Sequence, residues 1–232
     1  MGEIKLNEIA AFLEGLEETI IYKLIDRIQF KRNEEVYKPG ASGFPGETAS
    51  LFELRLRYQE EMDSLFGRFN VPEERPFNKQ LPPPRRQRID PDSPLHIRDF
   101  DGVNLTPQIL QSYLDLLPRI CSPGDDGHHG SSCEHDVYAL QAISRRIHYG
   151  AFYVGEAKYR SNPSMFQTVL KEGNRASLLE ALTRKEVEDQ ILSRVRQKAE
   201  TIQATIRTPI RTQLNAAVVA DFYRDTIIPL TK

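Results

Sequence analysis

At 232 residues and 26.6 kDa the chain can bury a sizeable core as a single domain, 1–232. A net charge of −2 with 28% charged residues gives no basic bias, so no nucleic-acid partner is expected. No apolar run approaches the roughly 18 residues of a membrane span, and the opening MGEIKLNEIAAFLEGL carries Glu3 and Glu8 where a signal peptide would be basic and then apolar. The expectation is a cytoplasmic protein with no membrane partner, its two cysteines, Cys121 and Cys133, reduced.

In chain order, Ile9, Phe12, Leu13, Leu16, Ile20, Ile21, Leu24 and Ile25 recur at helical spacing and predict a first helix over about 7–31, with Asn7 as its N-cap. The breaker-dense stretch from Tyr37 to Gly46 separates it from a second helix over about 47–69. A long proline-rich loop follows over 71–104, carrying Pro72, Pro76, Pro82, Pro83, Pro84, Pro91 and Pro94; loops this long are often functional or lie across a surface. Thr106-Pro107 opens a third helix that ends before Ser122. A polar, glycine-containing connecting loop is predicted over 121–133, and it is read as flexible.

The stretch from Asp136 to Tyr159, DVYALQAISRRIHYGAFYVGEAKY, then reads as one helix. Arg145, Arg146, His148, Glu156 and Lys158 interrupt its apolar face, and cations on a buried stripe need anionic partners. Either neighbouring helices supply these, or the helix lines a pocket for a carboxylate-bearing small molecule. Short helices to Lys171 and over about 174–181 come next. A Thr183-to-Glu186 capping box opens a helix to about Ile202, and a last helix over about 212–228 stops at Pro229. With hardly any period-two alternation, the fold class is all-α.

Cys121, His128, His129, Cys133 and His135 crowd one region, but their spacing fits no paired-ligand pattern, so no metal is expected. The basic run Pro84-Arg-Arg-Gln-Arg88 is ordinary for a solvated loop. The remaining cluster is Arg146, Lys158, Glu188 and Thr231.

SRRIHYG…EAKY, with Asp136-Val-Tyr-Ala-Leu-Gln before it, resembles the eukaryotic-type chorismate mutases. So do the segment from Glu17 to Phe30, Tyr37, Pro163, Glu186-Val-Glu188, Ile191-Leu192, Lys198-Ala-Glu200 and Tyr223…Ile227-Ile-Pro-Leu-Thr231-Lys232. The resemblance spans nearly the whole chain. It implies an all-helical homodimer that binds a small carboxylate-bearing substrate within a helical bundle and rearranges chorismate to prephenate without a cofactor.

By that resemblance Arg146 holds a substrate carboxylate, Lys158 serves a carboxylate and the ether oxygen, Glu188 takes the ring hydroxyl, and Thr231 completes the site. Four positions depart from the family. Ala10 stands where a first-helix arginine is expected, Arg184 replaces an asparagine, and the chain ends at Lys232, before a further glutamate. Arg146 and Lys158 are twelve residues apart instead of the family's eleven, which in a regular helix turns Lys158 about 120° away and puts Ala157 towards the site. A π-bulge between Gly150 and Gly155 would absorb the extra residue. These departures suggest a pocket refitted for a less anionic metabolite, as in secondary metabolism. The alternatives are an ordinary chorismate mutase with Arg184 or Lys158 covering the missing cation, and a non-catalytic binding homologue. The family's regulatory site for aromatic amino acids is matched by Gly130 and Ser131, but its paired arginines are reduced to Gly67-Arg68, which weakens the expectation of feedback control.

Overall fold

The computed structural model describes residues 5–86, 93–97, 99–205 and 212–232; Glu3, Pro91 and the Gln87-Arg88 end of the basic run lie outside the described residues. Among the described residues every regular element is helical.

Helix α1 (Leu6–Arg27) buries Ile9, Leu13, Leu16, Ile20, Ile21, Leu24 and Ile25, while Phe12 stays 38% exposed. Asn7 does not cap it: Lys5 holds the N-cap position without a side-chain bond, and Asn7 lies within the first turn. Helix α2 (Leu51–Leu65) is shorter than expected because both ends are fixed. A capping box closes its start, Glu53 N–H donating to Ser50 Oγ (3.2 Å) and Ser50 N–H to Glu53 Oε2 (2.7 Å). Gly67, at φ 81°, turns the chain away just after its end.

The described part of the proline-rich segment is pinned by buried polar side chains. Glu60 accepts from the Phe77 and Asn78 backbone N–H groups (2.8 Å each), and Arg75 donates to the Phe69 and Val71 carbonyls (3.0 and 2.6 Å) under the Phe100 ring.

Helix α3 spans Thr106–Ile120, and α4 spans His129–Tyr149. Helix α4 therefore takes in the last residues of the predicted 121–133 loop, and hydrogen bonds latch the rest. Asp126 accepts from the Lys31 N–H (2.8 Å), Asn33 Nδ2 (2.9 Å) and the His128 N–H (3.0 Å), while Arg32 N–H donates to the Ser122 carbonyl (2.9 Å).

After α4 the helix widens into a π turn over Gly150–Val154 and continues as α5 (Gly155–Ser161). Helices α6 (Pro163–Glu172) and α7 (Arg175–Leu182) are capped by Asn162 and Asn174. The expected capping box ahead of α8 (Lys185–Thr205) is not formed, because Thr183 Oγ1 turns back to the Leu179 carbonyl (2.7 Å). Helix α9 (Ala216–Phe222), a second π turn (Tyr223–Ile227) and α10 (Ile228–Thr231) end the chain. The last helix thus runs through Pro229, which sits in the first turn of α10, where a missing N–H is tolerated.

One cluster forms the main core. Ile20, Ile21 and Leu24 of α1 meet Val137, Leu140, Ile143 and Ile147 of α4, with Val195 of α8 and Val219, Tyr223 and Ile227 of the C-terminal segment. Each fully buried aliphatic contributes about 1.5–3 kcal/mol. A smaller cluster joins Ile9, Leu13 and Leu16 of α1 to Ala157 of α5. Together the two fix α1, α4, α5, α8 and the C-terminal segment around the polar residues described next.

Candidate active site

The charges on the long helix have different fates. Asp136 is fully buried and accepts from Arg27 Nε (2.5 Å), Tyr37 Oη (2.6 Å) and Tyr113 Oη (2.7 Å). Arg145 turns to the surface, against Glu74 (3.3 Å) and over the Phe12 ring. His148 is a core residue: its Nδ1 bonds the Ser144 carbonyl (2.9 Å) and its Nε2 accepts from the Leu105 N–H (3.1 Å). Burial pushes its pKa down to about 4, so it stays neutral. Glu156 pairs with Arg160 (2.9 Å) and His96 (3.1 Å).

Arg146 is the exception. It is 3% exposed, and among the described residues its Nε and Nη1 have no hydrogen-bond partner and its guanidinium has no ion pair. Burial lowers its pKa, the signature of a charge taken out of water without a counter-charge in contact. Gly150, one helical turn on, leaves room for it. A Cβ there would lie 3.1 Å from Arg146 Nη1 and would overlap the Thr231 methyl, so Arg146 and Thr231 share the space beside the Gly150 backbone.

The π turn decides where Lys158 points. The five-residue π turn is wide enough to absorb the extra residue, which on helix geometry would turn Lys158 back towards the line of Arg146. Ala157 packs instead against Ile9, Leu13 and Leu16. Lys158 Nζ donates to the Leu182 carbonyl, and its pKa is lowered first by burial and then by the Arg184 charge, while Glu188 opposes. Lys158, Arg184 and Glu188 therefore form one charge cluster. Lys232 completes it through an ion pair with Glu188 at 2.6 Å. Thr231 Oγ1 donates to the Ile227 carbonyl (2.6 Å) and adjoins Arg146 on one side and Lys232 on the other.

Three cations, Lys158, Arg184 and Lys232, thus gather round one carboxylate, Glu188, drawn from α5, the α7–α8 junction, α8 and the chain's last turn. Ala10 is exposed on α1 and brings no charge. It lies seven residues before Glu17, within about 20° of the same helix face.

Glu17 is a residue the sequence reading passed over. It is fully buried, accepts a bidentate pair from Arg194 (2.9 and 2.7 Å) and lies 3.3 Å from Lys198 Nζ. The signal was present: a carboxylate set within the apolar stripe of α1, and a lysine in Lys198-Ala-Glu200. Tyr223 and Lys232 were also quoted without a role.

The weaker candidates separate. Arg68 is satisfied by Asp63 (2.8 Å), Glu74 (3.0 Å) and Gln141 (2.7 Å), whereas Gly130 and Ser131 lie in the first turn of α4, roughly 16 Å along the helix from Gln141. Within one chain they do not meet. Cys121 and Cys133 are buried thiols whose pKa values burial pushes up to about 11 and about 12, which suits packing and not nucleophilic chemistry.

No family model matches the chain. It is 35% identical over 237 residues to the chorismate mutase of Schizosaccharomyces pombe, covering 99% of this chain and 93% of that protein. The chain belongs to the chorismate mutase family. It is also 37% identical to the chorismate mutase of Emericella nidulans (99% and 89% covered). Among solved structures, the Candida albicans chorismate mutase in complex with tryptophan superposes with a TM-score of 0.91 at 32% identity, covering 98% of this chain and 87% of that one. The chloroplast chorismate mutase of Zea mays gives 0.88 at 34% identity (98% and 91% covered). The all-helical fold is thereby the chorismate mutase fold.

Proposed function

We propose that the chain catalyses the rearrangement of chorismate to prephenate, as an ordinary member of its family with a rearranged set of cations. The observation that supports this best is Arg146, a buried guanidinium whose Nε and Nη1 have no hydrogen-bond partner among the described residues, on the same helical run as Lys158, which clusters with Arg184, Lys232 and Glu188. Chorismate is a dianion and suits such a surplus of positive charge. Its rearrangement breaks an ether C–O bond while forming a C–C bond within one molecule, so the protein need only fold the substrate and stabilise charge. Arg146 with Thr231 holds one carboxylate, and Arg184 holds the other in place of the cation absent at Ala10. Lys158 exchanges its bond to the Leu182 carbonyl for the ether oxygen, where negative charge builds in the transition state. Glu188, released from Lys232, accepts from the ring hydroxyl.

A second reading, a related rearrangement of a less anionic metabolite, is favoured by Ala10 alone and runs against the positive surplus around Glu188. The deciding experiment follows prephenate formation from chorismate by the purified protein. The proposal expects saturable turnover that Arg146→Ala reduces by about two orders of magnitude. An inert wild type overturns it. We also propose a homodimer, for which the exposed Tyr58, Met62 and Phe66 on α2 and the segment following it supply an apolar face; size-exclusion with light scattering tests this, and a monomeric mass overturns it.

A further inference from the structure

Tyr223 opens the second π turn and is wholly buried. Among the described residues its hydroxyl has no hydrogen-bond partner. A phenol is seldom left so, because burying a hydroxyl without a partner forfeits its hydrogen bonds to water. Tyr223 shares the main core cluster with Ile143 and Ile147, which flank Arg146 on α4, and Glu17 of α1 is the carboxylate whose field reaches both Tyr223 and Arg146. The two orphaned donors thus come from packed segments, one from the end of α4 and one from the π turn in contact with it. Glu17 is already engaged by Arg194 and Lys198. Burial raises the Tyr223 pKa, which keeps the phenol protonated and able to donate.

We propose that the Tyr223 hydroxyl and the Arg146 guanidinium together seat one substrate carboxylate, making Tyr223 a substrate-binding residue. One carboxylate oxygen accepts from the guanidinium, and the phenol O–H donates to the same group as a short, charge-assisted bond. The inference rests on the proposed chorismate reaction only in needing a carboxylate ligand.

Tyr223→Phe keeps the ring and removes the donor, and two measurements read it. The first is steady-state turnover of chorismate, where KM should rise about tenfold or more while kcat falls less. The second is thermal unfolding with and without millimolar malate, a simple dicarboxylate. Without malate the variant should unfold at or above the wild-type temperature, since an unsatisfied hydroxyl has gone; with malate it should gain less stabilisation than wild type. A wild type inert towards chorismate, yet stabilised by malate through Tyr223, upholds the inference and overturns the reaction. Unchanged KM and unchanged malate response overturn the inference, whatever the turnover. So does a wild type that malate does not stabilise, or a variant that melts well below wild type without ligand, since the hydroxyl would then be a structural bond.

Discussion

Asp136 and Arg146 stand on the same helix, ten residues and roughly 15 Å apart, and both are buried charges. Asp136 is closed: one arginine and two phenols converge on it. Arg146 is open: no acceptor reaches its Nε or Nη1 among the described residues. A buried charge with every partner present belongs to the fold, because removing any member strands the others. A buried charge with no partner is held there by surrounding packing and finds its complement in something that binds. Burial alone does not distinguish the two; the state of the partners does.

The largest expected effect breaks the closed cluster. Asp136→Ala leaves Arg27 charged and buried without a counter-ion, and should lower stability by about 3–5 kcal/mol in urea unfolding. Next comes the open end. Arg146→Met keeps much of the volume and removes a desolvated charge, so the unliganded protein should be as stable as wild type or more so. Its kcat/KM for chorismate should fall by about a hundredfold to a thousandfold. If Arg146→Met unfolds as readily as Asp136→Ala, both ends are structural and the contrast between them disappears.

How much of this was legible follows the same divide. Helices at 3.6-residue periodicity were readable because the main core is helix on helix, and Ile20, Ile21 and Leu24 had nowhere to go but inward. Arg146, Glu188, Lys158 and Thr231 came from the family pattern, and the fold sets Thr231 beside Arg146 and Lys158 near Glu188. Sequence could not show that His148 is a neutral core residue, since its partners, Leu105 N–H and the Ser144 carbonyl, are backbone atoms. Nor could it show that Arg145 and Arg146, adjacent in the chain, part company; a rotation of about 100° sends one to Glu74 and the other inward. Helix boundaries failed where the outcome turned on single hydrogen bonds, as at Ser50 and Thr183. The Asp126 latch likewise depends on contacts some 95 residues apart in sequence.

The π turn sharpens the contrast at intermediate cost. Deleting Ala151 leaves Arg146 and Lys158 eleven residues apart, within about 20° on a regular helix, so chorismate turnover should stay within a few-fold of wild type. Inserting one alanine at the same place rotates Lys158 by about 100° unless the turn widens again, and turnover should fall by about a hundredfold. Equal losses from both changes would mean that the wide turn does more than keep Lys158 in phase.

The smallest effect concerns the pH at which the open end loses its charge. Burial, and after it the charge of Arg184, lowers the Lys158 pKa below the ordinary lysine value of about 10.4. In the proposed reaction the cationic form stabilises the ether oxygen, so kcat should fall along an alkaline limb beginning below that value, as Lys158 gives up its proton. Arg184→Asn removes one of the lowering influences, so the limb should move to higher pH. In the same variant KM should rise, because a carboxylate loses its cation. Lys158→Arg should remove the limb altogether, since a guanidinium stays charged throughout the range. A limb that survives Lys158→Arg belongs to another group. A limb unmoved by Arg184→Asn would mean that Arg184 lies too far from Lys158 to act as the second carboxylate's partner, leaving the positive charge lost at Ala10 without a replacement.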